Sequence, residues 1–525
     1  MSSLLLPVLI VGAGPTGLNL ANLLCQYGIT FRLIEEKLEP IKTSNALAVQ
    51  ARSLEMWDSM GLADQAIQLG KKILGLTLNT SDKKIAEISF EHVNLPTQFP
   101  YILGLPQAET ENLLTEHLQK QGNYVERGLT LIDLTQTADY IIADVQHANG
   151  QREKINCGWL IAADGSHSTV RKKLNLTFSG GTLPEKFIMA DVIMTANFNP
   201  DYFHAFSSPQ GPLVFAPMPK FTRIISTVTN DKNIKDFENP TLADFEQVIA
   251  NRSKVNVQIQ STVWTSHFIT HHRMIDDYCH GRIVFAGDSA HIHSPVGGQG
   301  MNTGMQDTFN LAWKLALVIN GKSKSRLLDS YSVERRSVVK KVLVGTTLMT
   351  RIVTFTNPLL IGLRNNLMRF LFKYQFIQKK ITFNISELGV YYSPSDIIMN
   401  QNMRGKKLLA GQRAPHPELF RGIKHTLLLF SGLNVTNERA GQITQLINFI
   451  TKNHNDFFDY IVVSNNKSNF SGLDIALDLD SKLHHAYDVM EGGIFIVRPD
   501  RYIGFRSDEV SDKSIIAYLE RICVC

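Results

Sequence analysis

Apolar and polar positions along this chain switch repeatedly between the period of a strand and the period of a helix. The run LLLPVLIV, ending at Val11, reads as a buried strand, and LNLANLLCQYG, beginning at Leu18, carries its apolar residues at helical spacing. Ile29 to Glu35 closes the unit as a second strand. Lys42 to Leu62 starts polar and predicts an amphipathic helix through Leu54, Met56, Trp57 and Met60. Strand-like pieces follow (ILGLTLNT, IAEISFEHV), and Pro106 opens a predicted helix carrying Leu113, Leu114 and Leu118. Residues 123–157 read as hairpins turning at Ala148-Asn149-Gly150, and WLIAADG is a further buried strand ending at a turn. From about Gly180 to His280 short alternating strands and turns dominate, interrupted by one helical stretch from Leu242 to Ile249. GRIVFAGD then returns to the buried-strand pattern, ahead of a long helix from about Gly304 to Ile319.

Residues 325–380 predict an apolar helical layer with interspersed basic residues (Arg351, Arg364, Arg369, Lys373). A packed layer is favoured there over a membrane-surface helix, because an apolar face ordinarily finds a core. Gly405–Pro417 marks a boundary. Beyond it, strands (HTLLLFS, DYIVVS, GGIFIVRP, YIGFR) alternate with helices (QITQLINFITK, SIIAYLERI) in a separate small α/β domain.

Composition changes this picture little. The 525 residues allow two to four domains, and 44% apolar with 19% charged residues is ordinary for a globular chain. A net charge of +5 without a basic block gives no reason to expect nucleic-acid binding. Five scattered cysteines without a CxxC pair suit a reduced compartment, and Cys523-x-Cys525 reads as a frayed terminus. The N-terminal apolar run lacks a basic flank, so it reads as a strand rather than a signal peptide, and the expected location is cytoplasmic. The most apolar stretch, 352–363, is short of a membrane span and broken at Asn357-Pro358.

Chemistry concentrates in three segments. Gly12-Ala13-Gly14-Pro15-Thr16-Gly17 sits between strand and helix: Gly12 for the tight turn, Gly14 for approach to a pyrophosphate, Gly17 for close helix packing. Glu35, eighteen residues beyond Gly17, is placed to accept from ribose hydroxyls. The second segment runs from Ala163 through Asp164 to Arg171, with Asp164 at a sheet's carboxyl edge. The third runs from Gly281 through Gly287 and Asp288 to His291, then Pro295 to Asn302. Asp288 ends a strand and can bond a polyol. Gly297-Gly298-Gln299-Gly300 offers bare backbone on which a flat ring can rest, at the start of a helix whose N–H groups stabilise negative charge.

These segments, in this order, resemble the flavoprotein aromatic hydroxylases of the para-hydroxybenzoate hydroxylase type. The resemblance extends to Leu105-Pro106-Gln107-x-x-Thr110-Glu111, the Ala51–Glu55 helix and Glu334-Arg335-Arg336. It covers roughly the first 400 residues. The tail is similar to the redox-inactive thioredoxin-like domain of longer members such as phenol hydroxylase and pentachlorophenol monooxygenase, on Arg498 to Arg506. It implies an α/β fold: a Rossmann-like FAD-binding domain (1–179 and 281–400, the latter including the helical layer), a mostly antiparallel substrate-binding sheet inserted at 180–280, and a thioredoxin-like domain at 408–525.

The resemblance also implies roles. Gly12, Gly14 and Gly17 hold the FAD pyrophosphate and Glu35 the adenosine ribose, with Pro15, Thr16, Glu36 and Gly287 completing the cofactor set. Arg52 and Gln107 contact the diphosphate and ribityl region, and Asp288 the ribityl chain. Pro295, Gly298, Gln299, Gly300, Met301 and Asn302 line the flavin ring. Asp164 and Arg171 serve both FAD and a transiently docked NADPH or NADH, in keeping with the absence of a second GxGxxG. The implied reaction is hydroxylation of a phenolic or polyketide-like molecule by O2 through a flavin C4a-hydroperoxide. A phenolic substrate reacts as its phenolate, so a nearby base helps. Tyr202, His204, His267 and Tyr278 are candidates between which the sequence does not choose.

One departure is Asn45, where the family usually carries Arg. Lys42 or Arg52 is the expected compensation. The alternatives are a drug-inactivating enzyme of the tetracycline type and a non-catalytic FAD-binding scaffold. A halogenase is disfavoured by the lack of Trp-x-Trp-x-Ile-Pro. No metal is expected: His291-x-His293 and His271-His272 read as packing and a strand end, and Met301 and Met305 as helix packing. Gly321-Lys322-Ser323 lacks the rest of a P-loop. The tail's default role is dimerisation or stabilisation, with a homodimer one outcome.

Overall fold

A computed structural model describes residues 5–42, 46–229, 234, 236–294, 297–355, 357–404, 407–420, 422–470 and 472–523. The chain divides into two compact units. The first comprises 1–25, 30–308 and 339–388, and the second 26–29, 309–338 and 389–525.

The first unit is built on two eight-stranded sheets. In one, five parallel strands lie in the order Ile283–Phe285, Arg152–Ala162, Leu6–Val11, Phe31–Glu35, Val125–Arg127. The central strand reads as a continuous apolar run because both of its faces are covered, and Val8, Leu9 and Ile10 are wholly buried. Register matters most for the site. Val11 pairs with Ile34 on one side and Ala162 on the other, and Ala162 pairs with Phe285. The chain therefore leaves three neighbouring strands at one carboxyl edge, at Gly12, Ala163 and Ala286. Ala163 and Ala286 carry the ladder one step beyond the strands, their N–H groups donating to Val11 O at 2.8 Å and Ala162 O at 3.0 Å.

The second sheet is dominated by two long antiparallel strands, Ser179–Ala196 and Val257–Met274, continued by Thr222–Thr227, Leu213–Pro217 and Tyr202–Phe206. Its core includes Ile188, Val192, Phe215 and Ile224 beneath the helix Leu242–Arg252, a capped helix whose Thr241 and Asp244 bond reciprocally. The sheet extends beyond the 180–280 stretch. Gly75–Asn79 and Lys84–Ser89 join it, with Gly75–Asn79 parallel to Tyr202–Phe206.

Two local expectations change on folding. The FEHV end of the strand-like piece at 85–93 is a short helix, Phe90–Val93. The helix Ala51–Asp58 is not amphipathic in place: Arg52, Ser53 and Glu55 are buried together with Leu54 and Trp57. Arg52 and Glu55 pair with each other, Arg52 Nη1 donating at 3.1 Å, so burial of these two does not require an apolar face.

The second unit carries a six-stranded sheet in the order Met399–Gln401, Ile503–Ser507, Gly493–Val497, His425–Phe430, Phe458–Ser464, Ile475–Leu477. His425–Phe430 is buried throughout, with helices Asn437–Asn453 and Asp512–Ile522 supplying Ile443, Ile447, Ile515 and Leu519 to one of its faces. A buried charge network also belongs to this unit. Glu334 accepts from both Arg498 guanidinium nitrogens, at 2.8 and 2.9 Å, and from Lys314 at 2.9 Å, while Arg498 also pairs with Asp500. Burial works against charge on Glu334, but Arg498 and Lys314 outweigh it and hold the carboxyl below the usual carboxylate range.

Candidate active site

At the carboxyl edge the three motif segments interlock. Gly12 has φ +99°, and a Cβ there would stand 2.4 Å from Ala163 O, in the second segment. A Cβ on Gly17 would stand 1.9 Å from Gly12 O, so both glycines are imposed by protein contact. Gly14 differs: a Cβ there meets no atom within 4 Å. Its lack of a side chain keeps backbone bare toward open space, which is what approach by a diphosphate requires. The third segment arrives through Thr16. A Cβ on Gly287 would lie 2.5 Å from Thr16 Oγ1, and one on Gly304 2.6 Å from the same atom. One hydroxyl thus fits between the strand end at Gly287 and the helix Gly300–Ile319.

Buried polar groups fix the loops. Asp307, on that helix, accepts from Gly287 N–H at 2.9 Å and faces His291 Nε2 at 2.8 Å. Tyr278 stacks on the His291 ring at 5.8 Å between centroids. Asn302 Oδ1 accepts from Gln50 N–H at 2.9 Å, and its Nδ2 donates to Ala48 O at 2.9 Å and Gly298 O at 3.0 Å. Gln50 Nε2 adds a bond to Gly297 O at 3.2 Å. Gly297 and Gly298, both at positive φ, are held there with their backbone exposed. Arg171 is a staple: it is buried, donates to Ser289 O at 3.0 Å and Ser166 O at 2.7 Å, and covers the Phe178 ring at 4.0 Å.

The acceptors at this edge are under-used by the protein. Asp164 Oδ2 takes the N–H groups of Thr169 and Val170 at 2.7 and 3.2 Å, leaving Oδ1 buried without a partner. Gln50 Oε1 is in the same state. Asp288 is exposed where the chain leaves its strand, and desolvation by neighbouring protein pushes its carboxyl pKa up. Glu35 accepts from Ala13 N–H at 2.8 Å and Lys37 N–H at 3.1 Å. Nearby Glu111 is pushed up to about 7, chiefly by burial, against the opposing bond from Gln107 Nε2 at 2.9 Å. An open glycine cradle, unpaired acceptors and an exposed ring-sized backbone suit a flavin dinucleotide, whose hydroxyls and ring N–H are donors.

Most of the expected residues meet at this edge. Gly12, Gly14, Pro15, Thr16, Gly17, Glu35, Asp164, Gly287 and Asp288 stand on adjacent strand ends or the turns after them. Gly298 to Asn302 are tied to Ala48 and Gln50. Glu36 follows its strand and is exposed, and Met301 is half-buried. Gln107 uses its Oε1 on Ala46 N–H at 3.3 Å. Arg52 is placed otherwise: it is wholly enclosed, paired with Glu55, and its backbone N–H donates to Ser386 O, so here its guanidinium does not line the cleft. Pro295 and Asn45 lie outside the described residues. Gln50 and Asp307 were not anticipated. Their signal was polarity inside otherwise apolar stretches.

Of the four base candidates, two are committed elsewhere. His204 Nδ1 faces Thr77 Oγ1 at 2.8 Å and its Nε2 faces Asn199 O at 2.7 Å, while burial lowers its pKa. Tyr278 is wholly buried against His291. His267 is exposed against Phe237, and the Tyr202 ring lies close over Gly75.

This architecture is that of a flavin-dependent hydroxylase, and comparison with known proteins agrees. A family profile described as "FAD binding domain" matches residues 6–346. The 6-methylpretetramide 4-monooxygenase of Streptomyces rimosus is 30% identical over 98% of this chain and 93% of that protein. Pentachlorophenol 4-monooxygenase of Sphingobium chlorophenolicum is 29% identical over 95% and 93%. The solved structure of an anhydrotetracycline hydroxylase from Streptomyces rimosus superposes with a TM-score of 0.75 at 27% identity, covering 98% of this chain and 99% of that one. The chain belongs to this family of FAD-binding monooxygenases and is an enzyme of that class.

Proposed function

We propose that this enzyme hydroxylates a phenolic or polyketide-derived polycyclic aromatic compound, with NADPH or NADH as transient reductant and O2 as oxygen source. The observation that carries it is the convergence of Gly12, Asp164 and Gly287 on one sheet edge, with Thr16 interlocked between Gly287 and Gly304. Bound FAD supplies the redox chemistry and the transfer of oxygen. The chain's own part is binding and orientation. Gly14 leaves room for the pyrophosphate, Glu35 and Asp288 accept from ribose and ribityl hydroxyls, and Gly298 to Asn302 support the ring. Asn302 fixes that loop, and the N-terminal end of its helix favours negative charge on the ring. The substrate class rests on relatives named for a pretetramide and a chlorophenol.

The described residues after Gly405 support the thioredoxin-like reading of the tail. A βαβ unit (His425–Phe430, Asn437–Asn453, Phe458–Ser464) precedes an antiparallel pair and a final helix (Gly493–Val497, Ile503–Ser507, Asp512–Ile522). With no CxxC in the sequence, a stabilising or dimerising role fits better than thiol chemistry.

The test is NADPH and NADH oxidation by the flavin-loaded protein across phenols, naphthoquinols and tetracyclines, with product masses read in parallel. A compound that speeds oxidation and gains one oxygen atom is the expected result. Failure of both nucleotides to reduce the flavin with every compound would overturn the reading.

A further inference from the structure

The helix Pro358–Leu371 is turned inside out. Arg364 and Asn365 are buried, Arg364 donating to the carbonyls of Ile352 and Val353 at 2.8 and 3.3 Å and to Ser207. Its outer face carries Leu359, Leu363, Leu367 and Phe370, at 83, 67, 52 and 54% exposure. The first three are four residues apart, one stripe along a helix. The preceding helix, Leu327–Val353, exposes Val344, Leu348 and Met349 in a second stripe, and Phe376 on the following helix is 68% exposed. The favoured expectation of an apolar face packed inward holds for Val338, Val339 and Ile361, which are buried, but not for these outward residues. Arg364 and Thr354 tie the layer to Ser207 and Glu185, while Leu359, Leu363, Leu367 and Phe370 face out.

Charge narrows what such a face meets. From Lys340 to Lys380 the sequence contains eight Lys or Arg and no Asp or Glu. Lys340, Arg351, Arg369, Lys373, Lys379 and Lys380 are exposed among these apolar side chains. Glu185 reaches Thr354 from the sheet at 3.3 Å and is half-buried. A second copy docking through the same face would set these cations against their own duplicates. A surface that is apolar within and anionic at its boundary complements both features, as the headgroup region of an acidic lipid leaflet does. No described helix is long and apolar enough to cross a membrane, so the contact is one of lying on the surface. We propose that the face formed by residues 344–355 and 357–380 docks on an anionic membrane surface, Leu359, Leu363, Leu367, Phe370 and Phe376 entering the interface and the flanking Lys and Arg binding lipid phosphates.

The test is cosedimentation of the full flavin-loaded protein with vesicles of phosphatidylcholine alone and of phosphatidylcholine and phosphatidylglycerol in equal parts. Binding to the acidic vesicles only, weakened by salt, is expected. Leu363→Gln/Leu367→Gln, at exposed positions, is expected to lower partitioning about tenfold or more, and Lys373→Glu/Lys379→Glu to lower it while leaving flavin content unchanged. Absence of binding to the acidic vesicles, or equal binding by the leucine variant, would overturn the proposal. So would a wild-type oligomer in sedimentation velocity that the leucine variant dissolves, since the face would then belong to a second copy.

Discussion

Two carboxylates with buried oxygens, Glu334 in the second unit and Asp164 in the first, are treated in opposite ways. In the second unit Glu334 is enclosed by Arg498, Lys314 and Asn310, and every charge has an opposite within hydrogen-bond reach. In the first, Asp164 keeps an unpaired buried oxygen, its pKa raised chiefly by burial. A closed network is complete without anything else, whereas open acceptors are stabilised only when a donor arrives. Burial alone does not separate structure from function here. For these two carboxylates, completion of the hydrogen-bonding set does.

Three experiments sharpen this contrast. Glu334→Ala should be the most damaging, costing about 3–5 kcal/mol because Arg498 and Lys314 lose their shared counterion. Urea denaturation measures it, and a loss below about 1 kcal/mol would remove the network from the argument.

A pair of glycine substitutions comes next. Gly12→Ala forces a Cβ onto Ala163 O at positive φ and should cost more than about 1 kcal/mol of apoprotein stability. Gly14→Ala meets no protein atom, so the apoprotein should melt as the wild type does, while FAD binding weakens by at least about tenfold. Equal FAD affinity in the Gly14 variant would mean that no ligand approaches that backbone.

The third effect concerns pH. Because folding raises the Glu111 pKa from 4.5 to about 7, the folded state binds more protons between those values. Its contribution to stability therefore falls as pH rises from 4.5 to 7 and is constant above. Glu111→Gln should match the wild type near pH 4 and exceed it by up to about 3 kcal/mol at pH 8, read from paired denaturation curves.

Much of the first unit was legible because glycine spacing and strand patterning are local. The turn at Gly12 to Gly17 and the strand ends at Glu35 and Asp288 could be placed before any coordinates, since a turn and a strand end declare themselves within a few residues. Gln50, Asp307 and the true disposition of Arg52 could not. Each depends on a partner far along the chain, and a polar residue in a buried helix looks the same in sequence as one facing water. The inserted sheet was under-read for a related reason: Gly75–Asn79 joins it by parallel pairing with Tyr202–Phe206, which no hairpin signal announces. The outward leucines of Pro358–Leu371 were misread because periodicity identifies a face but not its direction.

The fit of Thr16 between Gly287 and Gly304 also sets a timetable for synthesis. The glycine turn emerges early from the ribosome, but the two surfaces that grip its threonine are made some 270 and 290 residues later, counting along the chain. Until then Thr16 has neither of its flanking surfaces, and on the proposed reading any flavin meets one of the three loops. Cofactor capture is thus a late event in the life of the nascent protein, and a chain stalled before residue 304 should emerge colourless.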